Sequence, residues 1–380
     1  MRALMVSDVY FPRVNGVSTS IETFRRGLAA EGIDVHLVVP RYGDESDSEG
    51  IIRVPGRPVP GDREDRLVGW RAMHKAVRRA AQGCALIHVQ TPFVAHYAGL
   101  AAGRALGVPV LATYHTLFEE YLAHYAPLVP AGWLRGQARA FSRRQCNALD
   151  GVVVPSTAMR ERLAAYGVST PMHVLPTGIP IAQFAGGDGA AFRARHGIAP
   201  HRPLALFVGR VAHEKNIGFL LEALIHAQQQ APGAMLMIAG EGPAMGDLRQ
   251  RVQQLGLVDS VVFIGYLDRR QDLPACYAAA DVFAFASRTE TQGLVLLEAM
   301  AAGVPVAALA AMGTIDILAP GQGCIAPPDD VPAFGQALGA LLADAPRRQV
   351  LRQQAPVYAA QWSDSAMAAR LARLYRELRG

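Results

Sequence analysis

Two cations and two carboxylates stand out by type and spacing. Arg210 and Lys215 lie in Phe207-Val208-Gly209-Arg210-Val211-Ala212-His213-Glu214-Lys215-Asn216, where an apolar run gives way to a helical pattern. Open α/β sheets bind ligands beyond the carboxyl ends of their strands, beside helix N-termini that attract anions. Arg grips phosphate oxygens bidentately and Lys supplies a mobile point charge, so the pair suits a diphosphate and can hold it as a leaving group without metal. A solvated basic turn is the plainer alternative.

Glu290 and Glu298 stand eight apart in Arg288-Thr289-Glu290-Thr291-Gln292-Gly293-Leu294-Val295-Leu296-Leu297-Glu298. With a helix opening near Gly293, Glu290 lies in the loop before it and Glu298 more than a turn inside. Even full helicity separates them by about 12 Å along the axis, whereas a retaining glycosidase needs its carboxyls about 5 to 5.5 Å apart. Hydrolase-type double displacement is therefore disfavoured. Separate jobs fit better, one carboxylate at a sugar and the other accepting hydrogen bonds from a ribose. The free N–H groups of Gly293, Leu294 and Val295 would lie between them, aimed at phosphate or hydroxyl oxygens. Each Glu alone reads as a surface residue. A third segment, Phe11-Pro12-Arg13-Val14-Asn15-Gly16-Val17, follows the first strand, and Gly16 lets backbone approach a ligand closely. By itself it is an ordinary loop.

The elements that must position these residues follow a βα rhythm, short Val/Ile/Leu runs alternating with amphipathic segments, as in parallel sheets buried on both faces. Strands are predicted at Arg2–Ser7, Asp34–Val39, Ala85–Val89, Val108–Tyr114, Gly151–Val154 and His173–Leu175. After Pro176-Thr177-Gly178-Ile179-Pro180, a linker pattern, a second set runs Leu204–Val208, Met235–Ala239, Ser260–Ile264, Val282–Phe285 and Val306–Ala308. The fold class is α/β, with two Rossmann-like doubly wound domains at 1–176 and 177–362. The last helix, at about 363–380, follows Trp362 and is able to pack back on the first domain.

Bulk properties narrow the function classes. The 380 residues suit two domains, and with 51% hydrophobic and 18% charged residues the chain is not a disordered one. A net charge of +5 is too mild to indicate nucleic acid. Four dispersed cysteines without a CxxC pair indicate neither zinc nor a disulfide framework. Asp8 and Pro12 interrupt the N-terminus before a signal-like apolar region develops, and Glu298, Gly303 and Pro305 spoil the most apolar window as a bilayer span. The expected location is cytoplasmic. No G-x-G-x-x-G follows the first strand, against a dinucleotide-dependent oxidoreductase.

On these residues the chain resembles family 4 of the retaining glycosyltransferases, which have the GT-B fold. The E-x7-E pair Glu290 and Glu298 is the most specific element, supported by Gly209-Arg210, Glu214-Lys215 and Ile238-Ala239-Gly240-Glu241-Gly242-Pro243, and the match runs nearly end to end. The resemblance implies that Arg210 and Lys215 bind the donor diphosphate, Glu298 the ribose and Glu290 the donor sugar. It implies that Gly16 approaches the phosphates from an acceptor domain that faces the donor domain across a cleft. His115 matches a family histidine near the reacting sugar, where ring or backbone can stabilise developing charge; the residue type alone reads as structural. The family retains anomeric configuration without a clear protein nucleophile and needs no divalent metal, and no cofactor is expected. Thr177 and Pro180 stand where many relatives have Asn and Asp, which bears on hinge or acceptor geometry.

For the acceptor, Leu67, Trp70, Met73, Val77 and Ala81 recur at helical spacing, flanked by Arg71, Lys75, Arg78 and Arg79. Such a basic amphipathic helix docks on anionic membrane surfaces, or else packs its stripe into the core. Arg135, Arg139, Arg143 and Arg144 form a second basic stretch. His115 to Tyr121, with Phe118, also resembles bacterial diacylglycerol glucosyltransferases and lipid mannosyltransferases. A hexose transferred from a UDP- or GDP-linked donor to a glycolipid hydroxyl is the reading that follows, peripheral on the inner face of the cell membrane. The alternatives are extension of a saccharide in polysaccharide or lipopolysaccharide synthesis, a sugar-nucleotide epimerase of the same fold, and a non-catalytic nucleotide-sugar binder.

Overall fold

A computed structural model of the chain describes residues 1–59, 62–115, 131–269 and 271–379. The chain divides into two compact units, Met1–Gly178 with Asp364–Gly380, and Ile179–Ser363.

The first unit contains β1 (Arg2–Val6), α1 (Gly16–Ala30), β2 (Asp34–Arg41), β3 (Ile51–Val59), β4 (Asp62–Val68), α2 (Trp70–Ala80), β5 (Leu86–Val89), α3 (Val94–Leu106), β6 (Val110–Thr113), α4 (Ala131–Cys146), β7 (Gly151–Val154), α5 (Thr157–Ala165) and β8 (Met172–Val174). They form one sheet in the order β4-β3-β2-β1-β5-β6-β7-β8. Every pairing is parallel except the antiparallel β3 and β4. Central strands such as β5 and β7 are buried along their whole length, which is why they read as unbroken apolar runs.

β3 and β4 have no counterpart among the expected strands. Proline and charged residues fill Ile51 to Val68, and β3 is largely half-buried or exposed, so neither an apolar run nor a clean alternation marks it. The same hairpin corrects the amphipathic stripe: Leu67 is in β4 and not in the helix, which begins at Trp70.

α1 opens at Gly16, with Asn15 Oδ1 accepting from Ser18 N at 2.8 Å. Its Ile21, Phe24 and Leu28, at helical spacing, are buried.

The second unit runs α6 (Ile181–Phe184), α7 (Gly189–Arg195), β9 (Leu204–Val208), α8 (Ile217–Ala227), β10 (Met235–Ala239), α9 (Met245–Gln254), β11 (Val261–Gly265), α10 (Asp272–Ala279), β12 (Val282–Phe285), α11 (Leu294–Ala301), β13 (Val306–Ala308), α12 (Thr314–Leu318), β14 (Cys324–Ile325), α13 (Val331–Ala343) and α14 (Ala345–Ala360). Its parallel sheet has the order β11-β10-β9-β12-β13-β14. Phe207 and Phe285, on neighbouring strands, stack with ring centroids 5.9 Å apart in the core.

The chain then crosses back, and α15 (Asp364–Arg379) belongs to the first unit, where it packs along α1 and buries Leu371 and Tyr375. Gly27 makes this possible, since a Cβ there would lie 2.4 Å from Ala368 Cβ.

Candidate functional site

The second unit's sheet changes direction between β9 and β12: β10 and β11 extend it on one side, β13 and β14 on the other. Such a switch opens a crevice beyond the strand carboxyl ends, and both motif segments leave the sheet there. β9 runs through Gly209 and Arg210 into a 3-10 turn at His213–Lys215, and Asn216, left-handed at φ 54°, opens α8. β12 runs through Ser287 to Gln292 into Gly293, whose φ of 91° suits glycine and opens α11.

Side chains tie the two segments together. Asn216 Nδ2 donates to Ala286 O at 3.1 Å, Ser287 Oγ donates to Glu214 O at 3.1 Å, and the Lys215 ammonium forms an ion pair with the Glu290 carboxylate. Both partners of that pair are mostly shielded, with 22% and 17% of their side chains exposed, which strengthens their attraction relative to a surface pair. Outside it, Arg288 grips Asp329 through two bonds of 2.7 and 2.6 Å, and Glu290 O accepts from Gly313 N at 2.8 Å. The Arg210 segment is fixed from behind. Val211 N donates to Glu241 O at 2.9 Å, and a Cβ at Gly240 would sit 1.9 Å from Gly209 O. That close backbone approach explains the glycines of Ala239-Gly240-Glu241-Gly242.

Arg210 is exposed at this edge and has no ionic partner among the described residues. The amides of Gly293, Leu294 and Val295, at the start of α11, come before Leu296 N, which donates back to Gly293 O at 3.0 Å. Glu298, further along α11, is buried at 3% exposure. Its Oε1 accepts from Arg269 Nη2 at 2.5 Å and its Oε2 from Tyr277 OH at 2.9 Å. The two motif carboxylates thus hold different partners and are not paired with each other.

Gly16 and His115 belong to the first unit. Gly16 is the first residue of α1, with open space where a Cβ would stand. His115, half-buried just after β6, bonds through Nε2 to Gln90 Oε1 at 3.0 Å. Burial pushes its imidazole down to about 4, so it is neutral near pH 7. Nearby His88 is held by Tyr375 OH at 2.6 Å and Thr113 Oγ1 at 2.8 Å.

α2 is divided in its loyalties. Met73 and Val77, with Ala81 just beyond its end, are buried against the first unit's core, so this part of the expected stripe serves packing. Trp70 instead stands 52% exposed, stacked on His74 with its ring 5.5 Å from Tyr97, and Arg71, Lys75, Arg78 and Arg79 are exposed. Phe118 and Tyr121 lie outside the described residues. Among the described residues no helix is long and apolar enough to cross a membrane, and no His, Cys, Asp or Glu cluster is placed to hold a metal ion.

Sequence reasoning missed Arg269, Tyr277 and Asn216. The first two sit 29 and 21 residues before Glu298 and meet it only through the folding of β11, α10 and α11.

Residues 14–183 match the model of Glycosyltransferase Family 4, and residues 188–357 match that of Glycosyl transferases group 1. The chain is 35% identical to an alpha-monoglucosyldiacylglycerol synthase of Streptococcus pneumoniae, over 81% of this chain and 71% of that one. It is 31% identical to a GDP-mannose-dependent alpha-mannosyltransferase of Mycolicibacterium smegmatis, over 84% and 82%. The fold is similar to the crystal structure of Anabaena HepE in complex with UDP, with a TM-score of 0.78, 17% identity and coverage of 99% and 100%. A sucrose-phosphate synthase from Thermosynechococcus elongatus gives a TM-score of 0.79 at 23% identity, covering 100% and 99%. With two Rossmann-like parallel-sheet units and these relatives, the chain belongs to glycosyltransferase family 4 and has the GT-B fold.

Proposed function

We propose that the chain binds a UDP- or GDP-linked hexose at the β9/β12 edge and transfers the hexose, with retention, to a hydroxyl of a membrane lipid such as diacylglycerol. The observation that carries this is the Lys215–Glu290 ion pair beside the unpaired Arg210 and the open amides of α11, with Glu298 buried behind them. In this reading Arg210 and Lys215 neutralise the diphosphate as the bond from C1 to its oxygen breaks. The α11 amides add partial positive charge. Glu290 orients the sugar and Glu298 accepts the ribose hydroxyls. The acceptor oxygen bonds to C1 on the face the phosphate leaves, and its proton passes to the departing phosphate. His115, on the first unit, is neutral and able to donate or accept a hydrogen bond. No metal enters this scheme.

The lipid acceptor is supported by the likeness to the pneumococcal alpha-monoglucosyldiacylglycerol synthase and by α2, whose exposed Trp70 and four cations present an apolar anchor beside positive charge. Each cation near an anionic bilayer contributes about 1 kcal/mol. The protein then works from the cytoplasmic face as a peripheral enzyme.

Thermal denaturation with UDP-, GDP- and ADP-sugars identifies the donor, because a ligand bound to the native state raises its stability by mass action. Incubation of that donor with diacylglycerol in anionic vesicles, followed by product analysis, tests the acceptor. A raised melting temperature with no glycolipid formed, and transfer to a soluble saccharide instead, overturns the lipid reading and keeps the donor site.

A further inference from the structure

We infer that Arg269, assisted by Tyr277, is a positioning residue that holds Glu298 as an oriented carboxylate ready to accept a ribose diol. This rests on the assignment of Glu298 to the ribose. A carboxylate at 3% exposure is costly to leave uncompensated. Glu298 meets that demand with one charged and one neutral donor, the Arg269 guanidinium at 2.5 Å and the Tyr277 hydroxyl at 2.9 Å. One donor falls on each oxygen, so the carboxylate plane is fixed while each oxygen keeps a lone pair for a further donor.

The surroundings single out Arg269 as the counter-charge. Tyr277 is buried beside Glu298, both of which raise its pKa well above 10, so it stays a neutral donor. Cys276 is likewise neutral, pushed up by burial. Asp272, on the same helix, is paired with Arg195 at 2.7 Å. Of the helices packed on α11, α6 carries no charge, and α14 turns Arg348 to the Leu341 and Leu342 carbonyls and Arg352 to Ala280 O. Arg269 itself reaches in from the turn after β11, anchored by its carbonyl accepting from Gln183 Nε2 at 2.7 Å, with half of its side chain exposed. A guanidinium at the mouth and a carboxylate at the base make an inner wall suited to a diol.

The test is calorimetric titration with free UDP and GDP, using whichever binds the wild type. R269A should bind about tenfold more weakly than wild type, because the buried carboxylate loses its charged donor. R269K should restore most of the affinity. R269A/E298Q should bind no more weakly than E298Q alone, since both changes remove one function. An R269A variant that binds like wild type, or a double variant that loses as much again as R269A alone, overturns the proposal while leaving Glu298 assigned. Should E298Q bind like wild type, the ribose assignment fails and takes the proposal with it. Arg269 is half exposed, so its removal leaves the core intact, and melting curves of the variants verify this.

Discussion

At the residue scale, the site is an arrangement of opposed charges whose members do different work. Lys215 touches Glu290 and stands to touch phosphate, so Lys215→Ala removes a charge-assisted contact to the donor, about 1.5–3 kcal/mol. Donor affinity should fall roughly tenfold to a hundredfold in direct titration. Glu290→Ala should leave that affinity within a few-fold and lower kcat about a hundredfold or more, if the carboxylate acts mainly as charge develops on the sugar. Steady-state kinetics separate the two, and equal effects on binding and turnover in both variants would contradict the division of roles. His115 gives a pH test. With its pKa near 4, the imidazole does not titrate between pH 6 and 8, so no arm of the rate profile in that range should vanish in His115→Gln. An acidic arm near pH 6.5 that disappears in the variant would show that His115 titrates in the working range.

At the element scale, what matters is which faces pack. The C-terminal helix α15 is held on the first unit by α1, with Tyr375 bonded to His88 beneath β5 and Gly27 allowing the helices to close. Gly27→Val places a branched side chain where even a Cβ meets Ala368 at 2.4 Å. Overpacking of this kind costs about 1–3 kcal/mol, readable as a lowered urea midpoint with unchanged nucleotide affinity. No loss of stability would mean that the helix contact is looser than drawn.

Elements also differ in how far the sequence revealed them. The buried central strands were legible because burial on both faces demands continuous Val, Ile and Leu. The β3–β4 hairpin was not, since an edge ribbon rich in proline and charge obeys no periodic demand. α2 was half legible: its period was visible, but whether Trp70 belonged with Met73 and Val77 depended on where the helix began and what lay above it.

At the scale of the whole molecule, the first unit carries buried histidines whose protonation opposes folding. Burial depresses His88 to about 3 and His96 and His115 to about 4. The unfolded chain takes up these protons near pH 6.5, so their contribution is complete above that pH and is lost as pH falls toward 4. Asp8 acts oppositely: burial raises it to about 6, so its contribution is present at low pH and lost as pH rises through 6. Three groups against one leave a net uptake of about two protons on unfolding near pH 5, a fall of roughly 2–3 kcal/mol per pH unit on acidification. Scanning calorimetry from pH 7 to 5 should show a falling melting temperature, and a flat or rising one would contradict this assignment of neutral histidines.

By itself the sequence determined the fold class, the two-domain division of strands and the family, because period, linker chemistry and the E-x7-E spacing are local properties written along the chain. It also disfavoured Glu290 and Glu298 as a close pair, since one falls in the loop before a helix and the other more than a turn inside it. Only the tertiary structure decided their partners. Lys215 reaches Glu290 because β9 and β12 are adjacent at the sheet's switch point, and Arg269 reaches Glu298 from the turn after β11. Partners that meet across 75 or 29 residues are chosen by strand order and helix packing, which no window of sequence contains.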